Sequence, residues 1–436
     1  MKKNSTIFHI FSSIGTKVIV LLGSFIISVV LARFLGPEGK GIVTAIFVIP
    51  NLLVSIADLG IRQATAYYVG KKIYTPSNVY GSILVVWVIT SCLSMVAALA
   101  YYLTGSIQQY GWILISIPLL SIPFMLLNKY MNGLLLGLQQ INAINIKNIL
   151  NFIINFIFLL ILVVLLNYGI YGAATIHLIV ALVTLMYSIF IIRKFVPKIQ
   201  YQKGIAQSLI SKGLVYAVAL FILNLNYKID ILLLEKMTTP ADVGIYSIGV
   251  SLSELIWQIP AAMGMVLFSK SANSKKDLDA INRSTKLLRI SWIPIILGSA
   301  LFWFLSPYFI RFLYGVEFIE SISVIRILLP GIVAMVLFKI LNADLAGRGY
   351  PLFALRVYVI ALVLNIVLNI LLIPRYDING AAIASTISYS VGALLFSLSY
   401  KNKSQIRFSE MFILNKSDIN LIKSIMNRFI NKRRGI

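Results

Sequence analysis

Residues 11–60 read FSSIGTKVIVLLGSFIISVVLARFLGPEGKGIVTAIFVIPNLLVSIADLG. Two long apolar runs flank the short turn Gly36-Pro37-Glu38-Gly39, and the run before the turn, 11–31, contains one charged residue, Lys17. A helix needs about 20 mostly apolar residues to cross a bilayer, and both runs reach that length. The stretch therefore predicts a pair of membrane-spanning helices rather than part of a soluble domain.

The whole chain has the composition of a membrane protein. Of its 436 residues 59% are hydrophobic and 12% are charged, and its mean hydropathy is +0.91. Soluble domains average about 45–50% apolar and about 25% charged residues. The net charge of +24 often indicates nucleic-acid binding, but so apolar a chain leaves little soluble surface for a basic patch. An ordinary soluble enzyme and a disordered basic protein are both excluded.

Twelve apolar windows follow one another along the chain and predict an all-α polytopic membrane protein with twelve transmembrane helices. Turn-forming residues separate many of the windows, and a basic loop at 193–212 follows the sixth. The windows are 11–31, 41–66, 79–103, 112–136, 149–166, 172–192, 213–234, 244–268, 287–309, 323–345, 357–373 and 380–399.

Two short motifs occur twice at similar spacing. PEGKGI at 37–42 resembles PADVGI at 240–245, and GAA at 172–174 recurs at 380–382. Both pairs hold matching places in two sets of six windows, which predicts a six-helix unit used twice in the same orientation, a parallel repeat. The predicted divisions are an N-terminal six-helix lobe, a basic linker, a C-terminal six-helix lobe and a basic tail, at 1–192, 193–212, 213–400 and 401–436.

Basic residues are distributed unequally between the two predicted sides of the membrane. If the amino terminus is cytoplasmic, loops and tail on that side carry 26 Lys and Arg, and the opposite loops carry six. The positive-inside rule then predicts that both termini, the linker and the tail are cytoplasmic. In the tail, apolar residues at helical spacing alternate with basic ones over 419–434, which predicts either an amphipathic helix on an anionic leaflet or a disordered basic tail.

Ten ionisable residues fall inside the windows, where a charge is costly and usually faces a bundle interior or a wet cavity. Asp58 and Arg62 are four residues apart, so a continuous helix would let them form an ion pair. Lys228 and Asp230 are two apart and would point to different faces of one helix. The six basic residues are Lys17, Arg62, Lys129, Lys228, Arg289 and Lys339, and each lysine could instead extend to lipid headgroups.

The basic residues predict a cationic substrate cavity. Lys17 and Lys228 hold corresponding places in the two halves, and Lys129, Lys339 and Arg62 are the other candidates to line it. Ammonium groups in a cleft of low dielectric constant attract phosphate and carboxylate strongly. A pyrophosphate-linked sugar would therefore suit this cavity, and a cationic drug would not.

Four carboxylates also fall inside the windows. They could couple transport to a gradient of H⁺ or Na⁺, or they could be counter-ions to the lysines, and the sequence leaves both alternatives open. They are Asp58, Asp230, Glu254 and Asp344. With one cysteine, Cys92, two histidines and no Walker loop, the chain offers no catalytic, metal or cofactor motif. We therefore predict a transporter that is not an enzyme and has no cofactor.

The turn motif ARFLGPEGKG at 32–41, followed by ADLGI at 57–61, resembles the opening of bacterial polysaccharide-unit flippases. These are the Wzx-type O-antigen, capsule and exopolysaccharide transporters of the MATE-related flippase superfamily. KID at 228–230 with DVGIYS at 242–247 is similar to that family's seventh-to-eighth span junction, and IP at 373–374 with GAAIA at 380–384 to its eleventh-to-twelfth junction. The resemblance covers residues 5–400 and implies a MATE-like, V-shaped bundle of two six-helix lobes in the bacterial cytoplasmic membrane.

The resemblance also implies a function. The chain would flip undecaprenyl-pyrophosphate-linked oligosaccharide units outward by alternating access, for surface polysaccharide biosynthesis, with membrane lipids, a polymerase and glycosyltransferases as partners. In that family the motif glycines and the residue matching Asp58 are structural. Two alternatives stay open, a MATE-type drug or cation antiporter with an acidic, aromatic cavity, and a non-transporting membrane scaffold for polysaccharide assembly.

Overall fold

Long apolar helices form almost all of the structure, a computed structural model that describes residues 2–272, 274, 276–350, 352–415 and 418. Side chains are described for these residues except 2–14, 215, 216, 219, 220 and 269. In this part there is no β-strand, and nine helical segments are long and apolar enough to cross a membrane. The helices are α1 Lys2–Ala57, α2 Ile61–Gly70, α3 Pro76–Leu103, α4 Ser106–Tyr110, α5 Trp112–Gly137, α6 Ile141–Phe158, α7 Gly169–Arg193, α8 Ile205–Asn226, α9 Ile229–Met237, α10 Pro240–Glu254, α11 Gln258–Ala272, α12 Asp277–Phe309, α13 Ser321–Gly347, α14 Phe353–Ser404 and α15 Ser409–Phe412.

Two of these helices are longer than one bilayer crossing requires, and each contains a bend. In α1, with 56 residues, Gly36 has a non-helical backbone (φ 65°), and Pro37 begins the helix again. In α14, with 52 residues, the bend is at Asp377 (φ 47°). Since a 20-residue helix spans about 30 Å, each could cross a membrane twice. The turn predicted at residues 36–39 is thus a bend between two successive helical stretches.

Several helices extend beyond the apolar windows. The helix α6 begins at Ile141, well before the window at 149, and α8 begins at Ile205, inside the predicted basic linker. Hydropathy detects only the part of a helix suited to hydrocarbon, whereas backbone hydrogen bonding continues into polar flanks. Lys147, which the positive-inside count assigned to a cytoplasmic loop, consequently lies within α6 and is buried.

The second predicted span is interrupted at the position of a predicted ion pair. The helix α1 ends at Ala57 and α2 begins at Ile61, because Leu59 (φ 44°) and Gly60 (φ 65°) adopt left-handed backbone conformations. Asp58 and Arg62 therefore do not share a continuous helix face, and no ion pair joins them in the described part of the chain. The predicted ion pair at this spacing was wrong.

The seventh predicted span is also interrupted. The helix α8 ends at Asn226, and α9 begins at Ile229 with Lys228 at its N-cap position. Lys228 is half-buried and Asp230, in the first turn of α9, is buried. The single continuous helix assumed for these two residues was wrong, because Lys228 precedes the helix that contains Asp230.

Both copies of the repeated PxxxG motif begin a helix with proline, a residue that suits the first helical position because its missing N–H needs no partner there. Pro37 follows the bend at Gly36, and Pro240 begins α10. Before Pro240, the backbone N–H of Thr239 donates to Asp242 Oδ2 at 3.1 Å, and that of Asp242 donates to Thr239 Oγ1 at 3.3 Å, which caps the helix. The two motifs therefore share a helix that begins at a proline.

The other repeated motif shows a second likeness. A Cβ atom on Gly172 would lie 3.0 Å from the carbonyl oxygen of Leu162, and one on Gly380 would lie 2.3 Å from that of Leu372. Each glycine thus lets its helix approach the backbone that precedes it closely. This correspondence supports the predicted internal repeat.

Contacts divide the chain into two compact units, Met1–Ile245 and Tyr246–Ile436. The boundary lies within α10, and α8 and α9 belong to the first unit because α8 packs on α1, α2 and α3, and α9 packs on α1. In the second unit α13 is the most enclosed candidate span, with 67% of its apolar window buried among neighbouring helices. The division of the sequence at 1–192, 193–212, 213–400 and 401–436 describes the repeat, and it stays a prediction.

Candidate functional site

A polar cavity of about 310 Å³ lies within the first compact unit. Helices α5, α6 and α7 form most of its wall, and α1 contributes Val54. Ligand pockets usually measure about 300–1,000 Å³ and carry a small number of polar groups in an apolar lining. This cavity has an unusually polar lining, formed by Asn128, Lys129, Asn132, Lys147, Asn148, Asn151, Asn155, His177 and Thr184.

Two lysines line the cavity from adjacent helices. Lys129, on α5, is half-buried and its Nζ donates to the carbonyl oxygen of Val54 at 3.3 Å. Lys147, on α6, is 5% exposed and donates to the side-chain oxygen of Asn132. Neither has a carboxylate within ion-pair distance among the described residues. Both side chains therefore keep donor capacity for an anionic group.

Three of the predicted site residues meet beside this cavity. Lys129 interacts electrostatically with both Asp58 and Arg62. Asp58 is buried, and its Oδ1 has no hydrogen-bond partner among the described residues. The arrangement combines one buried carboxylate with two basic side chains, so positive charge predominates.

Neutral amides form the rest of the polar wall. Asn148, Asn151 and Asn155 recur on α6 at intervals of three and four residues, so they share one helix face. Asn128, on α5, uses its Nδ2 to donate to the carbonyl oxygens of Phe124 and Ala181. A search for charged residues in the spans misses these amides. Their helical spacing within an apolar stretch is the signal that could have revealed them.

Lys228 lies apart from the cavity lining. It is close enough to Lys40, on α1, for the two positive charges to repel each other. Lys17 is exposed on α1. Of the predicted cationic residues in this unit, the structure therefore groups Lys129 with Arg62, and it places Lys228 beside a lysine that was not predicted as a site residue.

In the second unit, Lys339 lies near an aromatic ring and a carboxylate. The Nζ of Lys339 lies 4.3 Å from the centre of the Trp257 ring, and Glu254 is close enough to attract the lysine charge. Trp257 is held by a hydrogen bond of 3.1 Å from its Nε1 to the carbonyl oxygen of Ile332. This cation–π contact stabilises the position of the Lys339 ammonium group, a role that differs from the predicted cavity lining and from extension to lipid headgroups.

Asp344 lies in the second unit and is fully buried. Its carboxylate accepts hydrogen bonds from Ser271 Oγ at 2.6 Å, Tyr400 OH at 2.8 Å and Arg348 Nε at 3.0 Å. A carboxylate with three donors, one of them cationic, is well compensated for its loss of water. The geometry favours the counter-ion alternative over ion coupling for this residue.

Arg289 connects α12 to the start of the tail. Its Nε donates to Asp418 Oδ2 at 2.6 Å, and its Nη1 donates to the carbonyl oxygen of Glu410. Trp292 and Phe412 pack edge to face nearby, with ring centres 5.8 Å apart. The ion pair with Asp418 gives the Arg289 charge a partner within the chain. The amphipathic helix predicted over 419–434 lies outside the described residues.

We expect low pH to release residues 409–415, which include α15, from α12. Burial opposes ionisation of Asp418, but hydrogen bonds from Arg289 and Asn415 and the charges of Arg289 and Lys286 hold its pKa below the usual value. A carboxyl group whose pKa is lowered by its contacts stabilises those contacts at any pH above its ordinary pKa of about 3.9. This stabilisation is lost as the pH falls through the lowered pKa of the folded state. At neutral pH, hydrogen–deuterium exchange of residues 409–415 should therefore be faster in Asp418→Asn than in the native chain. In the native chain, the protection of these residues should be lost only in acid.

Asp279→Asn is the matched control, because Asp279 is an exposed carboxylate on the same helix α12. Its exchange in 409–415 should match that of the native chain at neutral pH. Native-like exchange in Asp418→Asn as well would show that the ion pair does not hold the segment.

Comparison with known proteins identifies two matching sequence profiles and one similar relative. The sequence profile described as "Polysaccharide biosynthesis protein" matches residues 7–268, and the MatE profile matches residues 215–371. The probable flippase AglR of Haloferax volcanii is 30% identical over 184 residues, which are 38% of this chain and 36% of AglR. This chain therefore spans about a third of the length of that relative.

A longer match is the uncharacterized membrane protein MJ1375 of Methanocaldococcus jannaschii, 23% identical over 373 residues, with 82% of this chain and 88% of that protein covered. Among solved structures, an inward-facing MATE-family multidrug resistance transporter superposes with a TM-score of 0.77 at 15% identity, over 88% of this chain and 94% of that one. The lipid II flippase MurJ, in an inward closed conformation, has a TM-score of 0.70 at 16% identity, over 93% and 89%. The fold is thus the one that MATE transporters and MurJ share.

Proposed function

The chain belongs to the polysaccharide biosynthesis protein family, and on that premise we propose that it flips undecaprenyl-pyrophosphate-linked oligosaccharide units outward across the bacterial cytoplasmic membrane. Twelve transmembrane helices in two lobes, with both termini in the cytoplasm, would carry out this movement by alternating access. Surface polysaccharide biosynthesis would consume the flipped units, with a polymerase and glycosyltransferases as partners. The probable flippase AglR supports the movement of a lipid-linked substrate, and the probable low-salt glycan biosynthesis flippase Agl15, also of Haloferax volcanii, supports a glycan as its cargo.

One observation carries the proposal, the presence of Lys129 and Lys147 in a polar cavity within membrane-spanning helices. A buried ammonium group is costly in a membrane and is retained where it pairs with something. Two lysines with no carboxylate within ion-pair distance among the described residues match a ligand that brings negative charge, such as a pyrophosphate. A cationic drug would be repelled, which argues against the antiporter alternative even though the fold resembles that of multidrug transporters.

The test is transbilayer movement in reconstituted vesicles. Purified protein in lipid vesicles would receive a fluorescent undecaprenyl-pyrophosphate-linked oligosaccharide, and an impermeant quencher would report the fraction that crosses. We expect Lys129→Ala and Lys147→Gln each to slow this movement about tenfold or more, since a hydrogen bond to a charged group contributes about 1.5–3 kcal/mol and about 1.4 kcal/mol is tenfold.

Lys203→Ala is the control, because Lys203 is exposed in the loop before α8. Its rate should equal that of the native chain. Equal rates in all three variants would reject the cavity as the site of substrate charge. Absence of movement with the native chain, together with efflux of a cationic dye from the same vesicles, would favour the antiporter, and absence of both would favour the scaffold.

A further inference from the structure

We infer that the amide-lined side of the polar cavity binds a sugar ring whose anionic group lies against Lys129 and Lys147. This inference rests on the proposed function and deepens it, because it assigns a sugar subsite within the first compact unit. Four observations support it, namely the amide face of α6, the unpartnered oxygen of Asn128, the cavity size and the adjacent ammonium groups.

The amides of α6 are accessible although the helix is a candidate membrane span. Asn148 and Asn151 are exposed and Asn155 is half-buried, and all three line the cavity. Each amide has two donor hydrogens and one acceptor oxygen. Sugar hydroxyl groups both donate and accept, so a row of amides on one helix face can bind several of them at once.

Asn128 contributes an acceptor from the facing helix α5. Its Nδ2 is used by the carbonyl oxygens of Phe124 and Ala181, which fix the orientation of the amide. Its Oδ1 is buried and has no partner among the described residues. A buried acceptor without a partner costs about 1–3 kcal/mol. A ligand hydroxyl or amide N–H that donates to this oxygen would recover that cost.

The size of the cavity limits what it can hold. A volume of about 310 Å³ is at the lower end of the range for small-molecule pockets, about 300–1,000 Å³. It suits a single sugar ring with its substituent rather than a whole oligosaccharide. The cavity would therefore recognise one residue of the glycan while the remainder stays outside it.

The lysines specify an anionic substituent on that ring. Lys147 donates to Asn132, so one amide of α5 also orients the ammonium group. The bound anion would be either the carboxylate of an acidic sugar or the phosphate that links the first sugar to its lipid. Both offer the same chemistry, an anionic oxygen group attached to a hydroxyl-rich ring.

Binding to the purified protein tests this inference without transport. The probes are glucuronic acid, glucose 1-phosphate, glucose and inorganic phosphate, each titrated against intrinsic fluorescence. We expect glucose alone and phosphate alone to bind at least tenfold more weakly than the better of the two anionic sugars. Tighter binding of glucuronic acid would identify a carboxylate as the anion, and tighter binding of glucose 1-phosphate would identify a phosphate.

The variants separate the two halves of the subsite. Asn148→Ala and Asn151→Ala should weaken binding of the preferred anionic sugar about tenfold but leave binding of inorganic phosphate unchanged. Lys147→Gln should weaken both. Ile153→Ala is the matched control on the same helix, since Ile153 is 42% exposed and does not line the cavity.

Native affinity for the sugar in both asparagine variants, or phosphate binding as tight as that of the anionic sugars, would overturn the inference. The same variants in the vesicle assay distinguish it from the proposed function. Lipid-linked oligosaccharide that crosses at the native rate in both asparagine variants would overturn the subsite and leave the function standing. Native vesicles that flip nothing, with sugar binding still lost in both variants, would reject the function and retain the subsite.

Discussion

Addition of one methyl group at Gly41 is expected to destabilise the protein by about 1–3 kcal/mol, the usual cost of overpacking. A Cβ atom there would lie 1.6 Å from the carbonyl oxygen of Pro240 and 2.9 Å from the backbone nitrogen of Gly244. Both neighbours are backbone atoms, so no side chain can rotate away. The helices α1 and α10 would have to separate in Gly41→Ala, and its melting temperature should fall by several degrees.

The contact at Gly41 is reciprocal, which allows a second variant to test it. A Cβ on Gly244 would lie 2.0 Å from the carbonyl oxygen of Pro37, so Gly244→Ala should be destabilised to a similar extent. Both substitutions force apart the same pair of helices. The loss of stability in the double variant should therefore be smaller than the sum of the losses in the two single variants. Full additivity would show that the two glycines do not share one contact.

Gly298→Ala is the control for this series. Gly298 lies in α12, and a Cβ there would meet no atom within 4 Å. Alanine is also the better helix former by about 1 kcal/mol. This variant should therefore melt at or slightly above the native temperature. A native melting temperature in Gly41→Ala as well would contradict the close approach of the two repeated motifs.

Asp344→Ala is expected to cost about 3–5 kcal/mol, the range observed when one partner of a buried ion pair is removed. Arg348, whose side chain is 3% exposed, would lose its buried counter-charge. Tyr400 and Ser271 would each lose an acceptor for their hydroxyl groups. Thermal or denaturant unfolding of the purified variant measures the loss.

The chain offers a matched control on the same arginine. Asp277 also pairs with Arg348, at 3.3 Å, but its side chain is 67% exposed. Exposed ion pairs contribute about 0–1 kcal/mol, so Asp277→Ala should be nearly as stable as the native chain. Equal losses in the two variants would contradict the structural role of Asp344. If instead Asp344→Asn keeps its stability but loses gradient-driven transport, the residue belongs to ion coupling.

The repeated motifs show how far the sequence could predict a contact. Their similarity and spacing indicated that residues 37–42 and 240–245 hold equivalent places, and the structure confirms that both begin helices at a proline. Their direct contact was not predictable, because similarity between two segments says nothing about the distance between them. Only helix packing brings Gly41 to Pro240.

The charged residues show the opposite limit. Hydropathy and charge identified Lys129 as a basic residue within a predicted span, but they assigned Lys147 to a loop and passed over Asn148 and Asn151. The ion pair predicted for Asp58 and Arg62 required an unbroken helix, and Gly60 ends that helix in a left-handed conformation. Arg289 forms an ion pair with Asp418, which lies 129 positions further along the chain. No local sequence pattern can indicate a pairing over that distance.

The sequence by itself determined that this protein is helical with many apolar segments long enough to cross a membrane, and its short motifs indicated a resemblance to polysaccharide flippases. That much depends on local quantities, namely the length of apolar stretches, the positions of proline and glycine and short motifs, and these are properties of neighbouring residues. Tertiary structure alone decided which polar groups share the cavity. Lys129, Lys147 and the asparagines lie on two helices, α5 and α6, and the packing of these helices with α7 places their side chains around one cavity.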